Sequence, residues 1–362
     1  MRVALMVEQL QSRVPGGTGR YAAELARALE QTRAPADELT GWVATGSGQR
    51  FNLPIFSRSL GTPSLILSRL WERGLGPSPR DADVVHATTL LAPPRRRAAL
   101  VVTIHDVVPW THPETLTPRG VDFHRRMGAR AARDADLIVT PTGAVADQVL
   151  HLLAPGAEVV AVPPGFSSDL SVPDDAFERR ARYVAGGGYL LFVGTSEPRK
   201  GLDTLLDALS EPSLKDQSLV VVGPRGWGGV DVSQDAQARG IGGRVTVTGR
   251  VDDGDLAALY AGAGAVVMPS RAEGFGLPVL EAMNLGVPVI TSDDPAMCEV
   301  GAGATQTFPV GDPTALAAAV VRVLGNSTVR ATMIDQGRAR ALDFDWQHSA
   351  RALWSLYTRL AR

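Results

Sequence analysis

Short runs of Val, Ile and Leu alternate along the chain with segments whose apolar positions recur at helical spacing. In the first half the runs fall at 2–7, 39–44, 83–87, 100–105, 137–141 and 158–162. In the second half they fall at 189–193, 218–222, 245–248, 265–268, 288–291 and 305–308. Most lack polar–apolar alternation, the pattern of parallel strands covered by helices on both faces. Strand alternating with helix, twice over, predicts an α/β chain of two doubly wound halves. VPPGFSSDLSVPDD (162–175) has little periodicity and reads as a linker, and AGGGY (185–189) opens the second half. FDWQHSARALWSLYTRL (344–360) sets Trp346, Ala350, Leu353, Trp354 and Tyr357 close to helical spacing, a closing amphipathic helix.

Length and composition agree with this picture. The chain of 362 residues is long for one domain, and 44% hydrophobic with 20% charged residues suits a globular protein. A net charge of −2 asks for no nucleic-acid partner. Cys298 is the one cysteine, so no internal disulfide forms and a cytoplasmic location is expected. The apolar N-terminal run meets Glu8 too early for a signal peptide. No segment reaches the roughly 18 uncharged apolar residues of a spanning helix. Two basic features stand out: PPRRRA (93–98), read as a solvated loop, and Arg125, Arg126, Arg130 and Arg133 on a helix over 121–139. The helix reads as a solvated basic face that could meet lipid phosphates at a membrane.

GTGRYA (17–22) matches the dinucleotide fingerprint G-x-G-x-x-A, with Asp37 and Glu38 about 20 residues on. An NAD(P)-dependent oxidoreductase using Gly17 and Gly19 is therefore an alternative. Two details oppose it. QLQSRVPG intervenes between strand and glycines, and the acids precede the second strand instead of ending it. Gly16 and Gly17 still bring bare backbone near a helix N-terminus, where an anion can approach.

The second half carries the denser chemistry. LLFVGTSEPRKGLDTLLDAL (190–209) is strand, loop and helix, with Arg199 and Lys200 where the strand ends. An Arg fork beside a compact Lys charge suits an oxyanion. VVMPSRAEGFGLPVLEAMNLGVPVITS (266–292) predicts a strand, a glycine loop, and a helix beginning near Pro278 and ending at Gly286. Glu273 lies in the loop and Glu281 on the helix's first turn. On one helix they would stand roughly 80° apart, so they need not form one acid/base pair. They can hold separate parts of one extended ligand, with Glu281 capping its helix or pairing with Arg271 as the structural alternative.

Glu273 and Glu281, filled by GFGLPVL, resemble the E-x7-E motif of the retaining family 4 glycosyltransferases. GTSEPRKGLDTLLDAL, VTGRVDDGDLAALYAGA (247–263), VPGGTGRYAAELARAL (14–29) and VVTIHDVVPW (101–110) resemble that family's diphosphate, base, glycine-loop and His-Asp segments. The resemblance spans nearly the whole chain. It implies the GT-B fold, two Rossmann-like doubly wound domains facing across a cleft. The domains implied are 1–168 on the acceptor side and 169–345 for the nucleotide-sugar, with the helix 346–362 crossing back to the first.

By the same resemblance, Lys200 and Arg199 hold the diphosphate and Glu281 the ribose. Glu273 with the Gly274, Phe275, Gly276 and Leu277 backbone holds the sugar hydroxyls. Gly249 and Arg250 border the base, Gly16 and Gly17 approach the phosphates, and His105 contacts the transferred sugar. Many relatives place Arg where this chain has Thr195, which leaves the phosphates to Arg199 and Lys200. The expected reaction moves a hexosyl group, mannose from GDP-mannose first and a UDP-sugar second, to a glycan, glycolipid or small-molecule hydroxyl with retention. His86 also ends a strand and is read as structural. No metal or other cofactor is expected: the DAD matches (81–83, 134–136) precede strands and DFD (343–345) sits by the closing helix. Peripheral membrane contact would run through the first domain.

Overall fold

The computed structural model describes residues 1–12, 16–45, 53–166, 170–184, 186 and 188–361. The first unit holds strands β1 (Arg2–Met6), β2 (Glu38–Thr45), β3 (Phe56–Pro63), β4 (Val84–Ala87), β5 (Ala99–Thr103), β6 (Leu137–Thr140) and β7 (Glu158–Ala161). The second holds β8 (Tyr189–Val193), β9 (Leu219–Val222), β10 (Val245–Gly249), β11 (Ala263–Met268), β12 (Val289–Ser292) and β13 (Gln306–Phe308). Every pairing is parallel, in the orders β3-β2-β1-β4-β5-β6-β7 and β10-β9-β8-β11-β12-β13. Strand order reverses beside β1 in one sheet and beside β8 in the other. In such sheets ligands bind outside the strand carboxyl ends at that switch point.

The absence of alternation has a direct cause in the first sheet. Val3, Leu5 and Val7 belong to one buried cluster and Ala4 and Met6 to another, so both faces are covered and every position is apolar. The first cluster includes Tyr21, Leu25 and Leu29 of the Gly16–Thr32 helix and Trp346, Leu353, Trp354 and Tyr357 of the Trp346–Leu360 helix. All five apolar positions predicted for the closing helix are buried. Asp345 caps it, accepting from the amides of Gln347 and His348. Trp354 Nε1 donates to Leu29 O at 3.0 Å, which fixes the helix on the first unit.

The chain divides into Met1–Pro113, Pro118–Gly165 and Phe344–Arg362 on one side and Glu114–Thr117 with Phe166–Asp343 on the other. The expected boundary at 168/169 lies in 167–169, outside the described residues, as do Val14 and Pro15 of the glycine-loop segment and residues 185 and 187 of AGGGY. β3 corrects the sequence reading, which placed no strand there. Its FSRSLGTP sequence is mostly exposed at the sheet edge and carries no apolar run. Among the described residues no helix is long and apolar enough to cross a membrane.

Candidate functional site

β8 ends at Val193, and the chain then makes a short 3-10 turn over Pro198–Lys200. Gly201 closes the turn at φ +65°, a left-handed geometry that favours glycine. A Cβ there would lie 2.0 Å from Pro269 O, so the turn can pack flush against the end of β11. Arg271 stitches the two loops together. Its amide donates to Arg199 O at 2.7 Å, and its guanidinium reaches Pro198 O at 2.7 Å and Asp203 at 2.5 Å. Arg271 is therefore engaged away from Glu281.

This packing brings Arg199, Lys200 and Glu273 together. Arg199 Nη1 donates to Glu273 Oε2 at 2.9 Å and to Ala272 O at 3.0 Å, while Lys200 Nζ donates to Glu273 Oε1. Ser270 Oγ adds a third donor to Glu273 at 2.7 Å. Arg199 Nε also meets buried Glu197 at 2.6 Å. Two buried carboxylates thus balance two cations. Burial alone would raise the Glu273 pKa, but Lys200 and Arg199 outweigh it and hold the carboxyl down at about 2. The resemblance assigned Glu273 and the cations to separate parts of a ligand; in this structure they are direct partners.

Asp294 supports the same loop from below. Its carboxylate caps the Pro295–Gly301 helix through the Ala296 and Met297 amides at 3.1 and 3.2 Å, and it accepts from Glu273 N at 3.4 Å. Burial, with a smaller push from the Glu273 charge, raises Asp294 to about 6 against the pull of those amides.

The next helix spans Leu277–Asn284 behind Gly276, whose φ of +89° sets the entry. Pro278 lies in its first turn and Gly286 follows its end, as expected. Glu281 is the fifth residue of this helix, at the start of its second turn and not on its first as the sequence suggested. It is buried and accepts from the equally buried Tyr260 hydroxyl at 2.8 Å. The two acids of the motif therefore have different partners on different elements. Gly274, Phe275 and Gly276 are buried, and Leu277 is half-buried. Gly249 ends β10 at φ +71°, with Arg250 exposed just beyond it.

In the first unit, Gly16 and Gly17 lie within the first turn of the Gly16–Thr32 helix, and both are exposed. A 3-10 turn at Glu8–Gln11 follows β1, and the helix begins only at Gly16. Asp37 pairs with the Met1 amino group at 3.0 Å, and Glu38 opens β2. The acids thus sit at the opposite strand end from the glycines, which removes the geometry a dinucleotide site requires.

His105 follows β5 by two residues, not at its end as expected. Its Nε2 lies 2.8 Å from Thr88 O, which can only accept, so Nε2 carries the proton. The ring stands edge-on to Tyr21 at 4.7 Å. Burial lowers its pKa, partly opposed by the Thr88 carbonyl and Asp106. His86 is fully buried between Tyr357 OH, 2.5 Å from Nδ1, and Thr103 Oγ1, 2.8 Å from Nε2. Burial, then the nearby His105, pushes it down to about 3, so it is a neutral tie between β4 and the closing helix.

The four arginines predicted as one basic face are mostly committed elsewhere. Arg130 is buried with Nη2 on Pro93 O at 3.4 Å and Nη1 on Trp71 O. Arg125 donates to Pro109 O, Arg126 meets Glu72, and Arg133 meets Asp134. The helix, Pro118–Asp134, thus spends its charge on intramolecular partners. At least one acid of each DAD and DFD match has an arginine partner: Arg2 at Asp83, Arg95 at Asp136 and Arg340 at Asp343.

Sequence reasoning missed Glu197, Ser270, Tyr260 and Asp294. Ser270 and Glu197 flank the motif residues, and their position was the available signal. Nothing local marks Tyr260, and Asp294 shows in the sequence only as a helix cap, because their contacts to the motif acids span 21 residues each.

The profile described as "Glycosyl transferases group 1" matches residues 176–340, and that described as "Glycosyltransferase Family 4" matches 15–170. The chain is 32% identical over 275 residues to the O-antigen chain mannosyltransferase B of Escherichia coli, covering 74% of this chain and 72% of that one. It is 32% identical over 214 residues to the phosphatidyl-myo-inositol mannosyltransferase of Mycobacterium leprae, 57% of this chain and 55% of that one. Sucrose-phosphate synthase from Thermosynechococcus elongatus superposes with a TM-score of 0.82 at 20% identity, over 99% of both chains. Paired profiles, a relative matched over most of its length and two parallel α/β sheets converge: the chain belongs to the family 4 glycosyltransferases, has the GT-B fold and is a glycosyltransferase.

Proposed function

We propose that this glycosyltransferase moves a mannosyl group from GDP-mannose to a hydroxyl of a glycan, a lipid-linked glycan or a small molecule, with retention at the anomeric carbon. The observation that carries the reading is the Arg199–Lys200–Glu273 cluster at the carboxyl end of β8. The mannosyltransferases among the relatives support the choice of sugar.

In this reading the donor diphosphate competes with Glu273 for Lys200 and Arg199. Displaced from one cation, the Glu273 carboxylate turns to the sugar hydroxyls, while Glu281, held by Tyr260, takes the ribose. Gly249 and Arg250 border the base. As the bond from the anomeric carbon to the phosphate oxygen breaks, negative charge grows on the diphosphate. Fixed cations meet that charge better in the transition state than in the ground state. The acceptor hydroxyl attacks from the face the phosphate leaves, forms the new glycosidic bond, and gives its proton to the departing phosphate oxygen. No carboxylate nucleophile is assigned. Charge neutralisation is assigned to Lys200 and Arg199, with no metal required. The roles of His105, Gly16 and Gly17 rest on the family resemblance alone.

A thermal-shift screen of GDP, UDP, GDP-mannose, UDP-glucose and UDP-N-acetylglucosamine tests the donor, since a ligand of the native state raises apparent stability by mass action. GDP-mannose is expected to give the largest shift. A larger shift with a UDP-sugar would replace mannose by that sugar.

A further inference from the structure

PPRRRA is not used by the donor site, and it lines something else. At the amino-terminal edge of the first sheet lies a groove of 980 Å³, walled by the 76–83 loop, the 95–99 loop and the chain at Leu360–Ala361. Arg2 opens β1 and Ala99 opens β5, so the groove is at the strand end opposite to His105. Five arginines and three aspartates line it.

Two of those acids are already spent. Asp83 accepts from the Arg2 amide at 2.7 Å and from its guanidinium at 3.3 Å. Asp136 grips Arg95 at 2.9 and 2.7 Å and takes the Leu100 amide at 2.8 Å. Both carboxyls are held below the usual range: Asp83 chiefly by the Arg2 amide, Asp136 by Arg95 and Leu100 against the opposing effect of burial. Arg80, Arg96 and Arg97 remain, with Asp81 as the one uncommitted acid of the lining. None of the three makes an ion pair among the described residues. Arg96 Nη2 reaches Gly76 O at 3.4 Å, which ties one wall to the other.

Prolines restrict the backbone of both walls. Pro77 and Pro79 brace one loop, and Pro93 and Pro94 precede the arginines of the other. Asp81 is held at φ +59°, which is uncommon outside glycine. The groove therefore carries three fork-shaped donors, Arg80, Arg96 and Arg97, against one uncommitted acid, Asp81. A guanidinium fork matches a phosphate oxygen pair in geometry and charge.

We propose that this groove is a second anion site, in which Arg80, Arg96 and Arg97 bind a phosphate-bearing ligand, either a free phosphate compound or the headgroup of an anionic lipid. It does not depend on the donor assignment.

Calorimetric titration of inorganic pyrophosphate into the full chain tests it, beside cosedimentation with phosphatidylcholine vesicles with and without phosphatidylglycerol. Wild type should bind two pyrophosphates, one at each site. Arg96→Ser with Arg97→Ser should lose one of them, or weaken it roughly tenfold, and keep the one that Lys200→Ala removes. Arg96→Lys with Arg97→Lys keeps the charge but not the fork, and should also bind more weakly. Loss confined to pyrophosphate identifies a free phosphate compound. Loss of vesicle binding in the same variant identifies a headgroup. If the serine pair leaves both unchanged with circular dichroism like wild type, or if the lysine pair binds as wild type, the proposal fails. A failure of Lys200→Ala to remove the other pyrophosphate would bear on the donor site alone.

Discussion

Replacing Glu273 by Gln removes one charge and leaves the shape. The magnitude follows from the carboxyl's displacement from 4.5 to about 2. At about 1.4 kcal/mol per pKa unit, this amounts to about 3 kcal/mol of interaction favouring the ionised form. It agrees with the roughly 3–5 kcal/mol lost when one partner of a buried ion pair is removed. A carboxyl whose folded pKa lies below its unfolded one stabilises fully above the unfolded value, and that stability drains as pH falls through the folded value. The window here runs from 4.5 down to about 2. One effect offsets part of the loss: Asp294 sheds a neighbouring charge. Glu273→Gln should therefore cost about 2–3 kcal/mol near neutral pH and clearly less in the acid window. Urea unfolding followed by far-ultraviolet circular dichroism, run at neutral pH and again within that window, reads both quantities. A loss below about 1 kcal/mol at neutral pH, or one that does not change with pH, would refute the assignment of Glu273 as the counter-charge of Lys200 and Arg199.

Other substitutions probe the supports of the same site. Gly201→Ala sets a Cβ 2.0 Å from Pro269 O at a left-handed backbone position, and should lower stability by about 2 kcal/mol or more in urea unfolding. Asp294 binds its proton more tightly folded than unfolded, so its contribution to stability falls as pH rises from 3.8 to about 6. The stability difference between wild type and Asp294→Asn should shift across that window by up to about 3 kcal/mol, and a flat difference would count against a buried, ionising Asp294. Tyr260→Phe removes the hydroxyl on Glu281 and should weaken nucleoside diphosphate binding several-fold, roughly 1 kcal/mol by calorimetry, with the fold unchanged by circular dichroism.

Much of this was legible in the sequence because the signals are local. Strands such as β5 (ALVVT), β8 (YLLFV) and β9 (LVVV) are continuous apolar runs, and the closing helix shows its buried face at helical spacing. The glycines and Pro278 mark turns and helix ends by their own backbone restrictions. What escaped was non-local or weakly patterned. β3 is a polar edge strand whose only evidence is its pairing with β2. Arg130 looks solvated beside three other arginines, yet it is buried because the distant Trp71 and Pro93 carbonyls receive its guanidinium. The cluster at Glu273 depends on Gly201 letting one loop lie against another 68 residues away, which no single-segment reading conveys. For that reason the sequence reading separated Glu273 from the cations that hold it.

Calorimetric titration of GDP and GDP-mannose into wild type, Lys200→Ala and Glu273→Gln tests the central claim most directly. The account predicts that wild type binds both, that Lys200→Ala loses roughly tenfold or more for each, and that Glu273→Gln keeps or gains affinity for GDP while losing it for GDP-mannose. Equal binding of GDP and GDP-mannose by all three proteins would contradict it.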